Sequence, residues 1–141
     1  MTIEELLNSR RIHKEEISSE DIPALLFKAN EDLETAKKIL SESIAWSYAI
    51  AYNGVLQASR AFVFSKGYRP ASREGHKNTF LFLKASLGKE LQSTVSYFDR
   101  VRVKRNENVY AGSVNITQTE VETLLEKAEE FFQVLEKLCR K

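Results

Sequence analysis

The sequence predicts an all-α fold: an up-and-down four-helix bundle with an additional short N-terminal helix. Three observations carry this. Two prolines and five glycines in 141 residues leave few interruptions, which favours long helices over a many-turned β fold. Apolar residues recur three and four apart in successive segments, the period of a helix with one buried face. Short polar links with capping residues or glycine stops separate those segments. The length suits one core, so residues 1–141 are read as a single domain.

The elements follow in order. Ile3, Leu6 and Leu7 make a brief amphipathic helix before Arg10-Arg11. His13 falls in a charged linker, where a histidine is ordinarily solvated. Ser18-Ser19-Glu20-Asp21 followed by Pro23 is a helix start. Ile22, Leu25, Leu26, Ala29, Leu33, Ala36, Ile39 and Leu40 then mark one apolar face. From Trp46 to Ser65 apolar residues cover nearly the whole circumference, so this is the central helix, buried on more than one side. Part of that surface is expected to bury against a second copy of the chain. Gly67 ends it, and Lys66 to Lys77 is a basic, turn-rich connection. His76 sits just before Phe80, Leu81 and Leu83 of the next helix, placed to cap or orient its start or to take part in chemistry. Gly88 separates that helix from one beginning near Lys89. Thr117-x-x-Glu120 and Thr119-x-x-Glu122 are capping-box candidates for a last helix with Val121, Leu124, Leu125, Ala128, Phe131, Phe132, Leu135 and Leu138 on one face.

Composition narrows the function. The net charge of +1 gives no whole-protein field for nucleic acid, so any attraction must be local. The single Cys139 excludes an internal disulfide and fits a reducing cytoplasm. The N-terminus does not read as a signal peptide, and the apolar window from Ile44 to Phe64 is broken by Asn53, Gly54, Gln57 and Arg60, so no membrane role is expected. There is no glycine-rich phosphate loop, no metal-ligand constellation and no nucleophile–base pair; no metal or cofactor is expected.

The densest positive charge lies between Phe98 and Gly112, read as the last three turns of a helix. Phe98, Val101 and Val109 point toward a core, while Arg102, Asn106 and Tyr110 form a neighbouring row with Arg105 at its edge. A guanidinium, an amide and a phenol on one side of a helix end suit a phosphate or nucleotide. The same residues also suit a solvated surface, with Arg100, Arg102, Lys104 and Arg105 balancing Asp99 and Glu107.

At Arg105-Asn106-x-x-x-Tyr110 the chain resembles the HEPN domain family of small all-helical, nucleotide- or RNA-associated proteins. Asp32-Leu33-x-x-Ala36, Tyr48-Ala49-Ile50-Ala51-Tyr52, the Lys66-Gly67-Tyr68 turn and Gly75-His76 agree in order and spacing, from about Asp21 to Leu138. Many members are metal-independent RNases that use an arginine, a polar residue and a histidine four to six positions on, with the site formed across a homodimer. Arg105 and Asn106 match the first half; Tyr110 stands where the histidine is expected. A tyrosine with a pKa of about 10 is a poor base at pH 7, but it donates a hydrogen bond, stacks on a base or accepts a transferred group.

Two functions stay open. One is an RNA- or nucleotide-binding homodimer, with Arg102, Lys104 and Arg105 as the binding cations. The resemblance implies that the chain is a toxin-type partner of a minimal nucleotidyltransferase, which silences related toxins by AMP transfer to a tyrosine, here Tyr110. The other is a metal-independent ribonuclease. Arg105 would hold the phosphate, and Tyr110 or His76 would move protons. For His76 to contribute, its helix start must lie near the end of the helix that carries Arg105.

Overall fold

The chain runs in the order α1 (Ile3–Asn8), β1 (Ile12–Lys14), α2 (Asp21–Ile39), α3 (Ile44–Ser65), β2 (Tyr68–Pro70), α4 (Gly75–Ser86), α5 (Gln92–Ala111) and α6 (Gln118–Cys139), with a 3-10 turn, Lys89–Leu91, leading into α5. This computed structural model describes residues 1–111 and 115–140, and the side chains of all of these except 108–111. The all-α class is as expected. The longer helices number five, because the 12-residue α4 adds to α2, α3, α5 and α6. None of the described helices is long and apolar enough to cross a membrane.

α3 is central, packing against α2, α4, α5 and α6. It begins where Ser43 accepts from the Trp46 N–H and ends where Gly67 turns left-handed at φ +85°. Its pairing with α2 is antiparallel: Ser47 Oγ donates to Ala36 O at 2.7 Å, and Asn53 Nδ2 donates to Asp32 Oδ2 at 2.9 Å. Further along, a Cβ at Gly54 would stand 3.0 Å from Ala29 O. Glycine there lets the two backbones close up. Tyr52, Val55, Phe80, Phe98, Leu124 and Phe131 fill the space between helices. Each such side chain contributes roughly 2 kcal/mol by leaving water.

α4 and α5 are also antiparallel. Gln92, at the start of α5, donates to the carbonyls of Lys84 and Leu87 at the end of α4. The start of α4 therefore lies beside the C-terminal half of α5. α6 opens with the expected capping box at Thr117: its Oγ1 accepts from the Glu120 N–H at 3.1 Å and donates to the Glu120 carboxylate at 3.4 Å. Thr119 lies inside the helix.

Two expectations are corrected. The linker assigned to His13 and the connection Lys66–Lys77 each contain a strand. β1 and β2 pair antiparallel, with Ile12 opposite Pro70, His13 opposite Arg69 and Lys14 opposite Tyr68. Ile12 is buried, and that anchors a ribbon too short for alternation to show in the sequence. Trp46, counted on the enclosed surface of the central helix, is 67% exposed because it sits in the first turn of α3, at the edge of the α2 pairing.

Candidate functional site

The site is built from the entrance to α4. Residues Ala71 to Glu74 must turn the chain sharply out of the ribbon. Glu74 does so in the left-handed region, φ 57° and ψ 38°, which costs a non-glycine residue roughly 1 kcal/mol. Asn78 over-determines that turn. It is 1% exposed, and its Nδ2 donates to Ala71 O and Arg73 O at 3.3 and 2.8 Å, while its Oδ1 accepts from Arg11 at 3.0 Å. Arg11 also faces Glu74 at 3.5 Å, and its carbonyl accepts from the Ala71 N–H at 2.8 Å. The N-terminal segment thus clamps the turn in place.

The turn delivers His76. Its Nδ1 is 2.9 Å from the hydroxyl of Tyr52, which rises from the middle of α3. Tyr52 is almost wholly buried, and burial keeps its phenol protonated far above the usual tyrosine range. The hydroxyl donates to Nδ1 when Nε2 carries the imidazole proton and accepts from Nδ1–H when Nε2 is free. Enclosure by the protein, and then the charges of Arg105, Arg60 and Arg102, hold the imidazole below its ordinary pKa of 6.5. His76 is therefore mainly neutral at pH 7, and it is exposed to solvent.

α5 supplies the cations. Arg102 Nε donates to Asp99 Oδ1 at 2.8 Å, one turn earlier on the same helix. Arg105 has no acidic partner within ion-pair distance among the described residues. Its guanidinium lies 5.7 Å over the Tyr52 ring, its Nη1 reaches Asn106 Oδ1 at 3.4 Å, and its buried Nε has no acceptor among the described residues. Leaving a buried donor of a charged group unsatisfied costs about 1–3 kcal/mol, which an arriving anion would offset.

Glu74, Gly75, His76, Lys77, Arg102, Arg105 and Asn106 line one open cleft of about 340 Å³. Four of the residues expected to form a site, Arg102, Arg105, Asn106 and His76, thus come together here. The antiparallel approach of α4 to α5 meets the geometric condition for His76. Lys104 does not join them. It turns to the other side of α5, bonds Glu120 of α6 and lines a separate cavity with Tyr48, Tyr97 and Arg100. Tyr110 lies on α5, but its side chain is outside the described residues. Gly112, the expected stop, is also outside them.

Sequence reasoning missed Glu74 and Lys77 in the lining of this cleft, and Tyr52 and Asn78 as the residues that hold its His76 and its turn. Tyr52 carried a usable signal, a phenol on the enclosed stretch of the central helix, since a buried hydroxyl requires a partner. Among the described residues no three His, Cys, Asp or Glu side chains gather to hold a metal ion.

Comparison with protein families places a HEPN domain over residues 22–138, most of the chain. No curated protein and no solved structure matches it significantly. The match takes in α3, α4 and α5, and so the whole cleft except the Arg11 clamp, and the chain belongs to the HEPN family.

Proposed function

We propose that this protein binds RNA through a phosphate held in the cleft between α4 and α5. One observation carries the reading. Arg105 is a guanidinium 5.7 Å over the Tyr52 ring; among the described residues its buried Nε has no partner and no acid comes within ion-pair distance of it. A phosphate oxygen is the partner whose geometry and charge suit that fork. Arg102, Lys77 and Asn106 add donors around the same volume. The homodimer and nucleotidyltransferase partner implied by the family belong to this reading, as does a cytoplasmic location. Exposed Val103 on α5 and Trp46 on α3 support burial against another chain.

His76 favours a second reading, metal-independent RNA cleavage. A neutral imidazole stands in the arginine cleft, its Nδ1 fixed by a hydroxyl that serves either tautomer. Nε2 could then take a proton from a ribose hydroxyl, or deliver one to a leaving oxygen, while Arg105 neutralises charge on the phosphate. Labelled RNA incubated in EDTA with wild type, Arg105→Ala and His76→Gln tests both readings. Binding lost in the arginine variant alone supports the first. Cutting by wild type that His76→Gln abolishes without weakening binding supports the second. Wild type that neither binds nor cuts any RNA refutes both.

A further inference from the structure

We propose a second phosphate site in this chain, in the cleft of Arg60 and Arg69 on the far side of His76, so that a single-stranded RNA lies across two adjoining sites. The inference rests on the RNA reading above and deepens it. A cavity of about 360 Å³ opens between the C-terminal half of α3, β2 and the first turn of α4. Arg60, Arg69, Ser72, His76 and Thr79 are among its walls, and among the described residues no acidic one is. Gly75 and His76 line this cavity and the Arg105 cleft alike, so the two volumes meet at the imidazole.

The charges here are available to a ligand. Arg60 has no acid within ion-pair distance among the described residues; its guanidinium lies 5.9 Å over the Phe64 ring. Arg69 faces Glu15 at 3.6 Å, with both side chains about half exposed. Such a surface pair is worth at most about 1 kcal/mol, so a phosphate can displace the carboxylate. No side chain caps α4, and its first turn adds the positive end of a helix to both volumes. A ligand with one phosphate fills one volume. A chain of phosphates fills both and passes His76 at the junction, where a reacting bond would have to lie.

Fluorescence anisotropy with a short single-stranded RNA and with fluorescent 5′-AMP, over a range of salt concentrations, tests this. Each phosphate contact on a single strand contributes about 0.7 to the slope of log affinity against log salt. The double variant Arg60→Gln/Arg69→Gln removes one phosphate contact and should lower the RNA slope by about 0.7, leaving 5′-AMP binding unchanged. Ser72→Glu keeps both arginines but sets a carboxylate at an exposed position on the cavity wall, and should weaken RNA binding alone in the same way. It carries the test if the double variant folds poorly. An unchanged RNA slope in a folded double variant, together with unchanged RNA affinity in Ser72→Glu, overturns the second site. Arg105→Ala separates the two readings: loss of both ligands there leaves the first cleft standing whatever the second one does. Wild type that binds no RNA overturns both.

Discussion

Lys104 and Arg105 are neighbours in sequence and opposites in the fold. One step along a helix turns the side chain by about 100°. That step carries Lys104 to α6, where Glu120 neutralises it, and carries Arg105 toward α4, where no acid among the described residues comes within ion-pair distance. The Glu120 carboxyl is held below its usual range, first by its hydrogen bond from Lys104. Lys104 is thus used up in docking α6 against α5. Arg105 rests on the Tyr52 ring and keeps an unspent donor. A dense run of charge is therefore not itself a site; what matters is which cations the tertiary structure leaves unpaired. The same division separates the two sides of α5. One side has its lysine tied up in an ion pair. The other is held open by a clamped turn.

The clamp offers the largest effect. Asn78→Ala removes three hydrogen bonds from a buried position at about 1 kcal/mol each, so urea unfolding should show a loss of roughly 3 kcal/mol. Hydrogen exchange should speed up in residues 71–76 while the Lys104–Glu120 side stays protected. A uniform loss across both sides would erase the distinction between them. Next in size is the contrast between the neighbours. Arg105→Ala should weaken RNA binding by about 1.5–3 kcal/mol, the value of a charge-assisted hydrogen bond, and leave thermal stability nearly unchanged. Lys104→Ala should do the reverse, costing at most about 1 kcal/mol of stability and little affinity. Equal affinity losses in the two variants would mean that the ligand reads only the charge of the helix. Tyr52→Phe comes third. It keeps the ring under Arg105 but removes the hydroxyl from His76, at a cost of about 1 kcal/mol; RNA affinity should hold, and any cleavage rate should fall. A drop in affinity instead would assign the hydroxyl to ligand binding.

Much of the fold was legible because helices advertise themselves over many residues. The apolar faces of α2 and α6, the Thr117 box and the Gly67 stop all depend on local chemistry, and all are found where the sequence puts them. The β1–β2 ribbon was not legible. Three residues hold no period, and its register depends on Ile12 finding a core made by distant helices. The row of Arg102 and Asn106 with Arg105 at its edge could be read from spacing on one helix. The Arg102–Asp99 pair, three apart on one helix, was legible in the same way. That Glu120 would take Lys104 and that Tyr52 would reach His76 across 24 positions are tertiary facts. Asn78 shows the limit most sharply. A polar residue in the first turns of a helix reads as solvated, yet this one is buried because its amide completes a turn that the backbone alone would not hold.

The smallest effect is in pH. Arg60, Arg102 and Arg105 surround His76 with positive charge, and Glu74 is the one acid among the described residues that line the cleft, already facing Arg11 and Lys77. The imidazole pKa is lower in the folded protein than in the unfolded chain. Between those two values the unfolded chain binds the extra proton, so stability rises with pH there. It should be fully present above about 6.5, the unfolded value, and decline as pH falls through the lower folded one. His76→Gln should flatten that decline. A phosphate in the cleft works the other way, because it favours the imidazolium. NMR titration of the His76 ring should therefore show its pKa rising on RNA binding, and RNA should bind more tightly as pH drops below neutrality. An RNA complex in which the His76 pKa stays where it was would put the phosphate away from the imidazole, and would leave Arg105 to act without it.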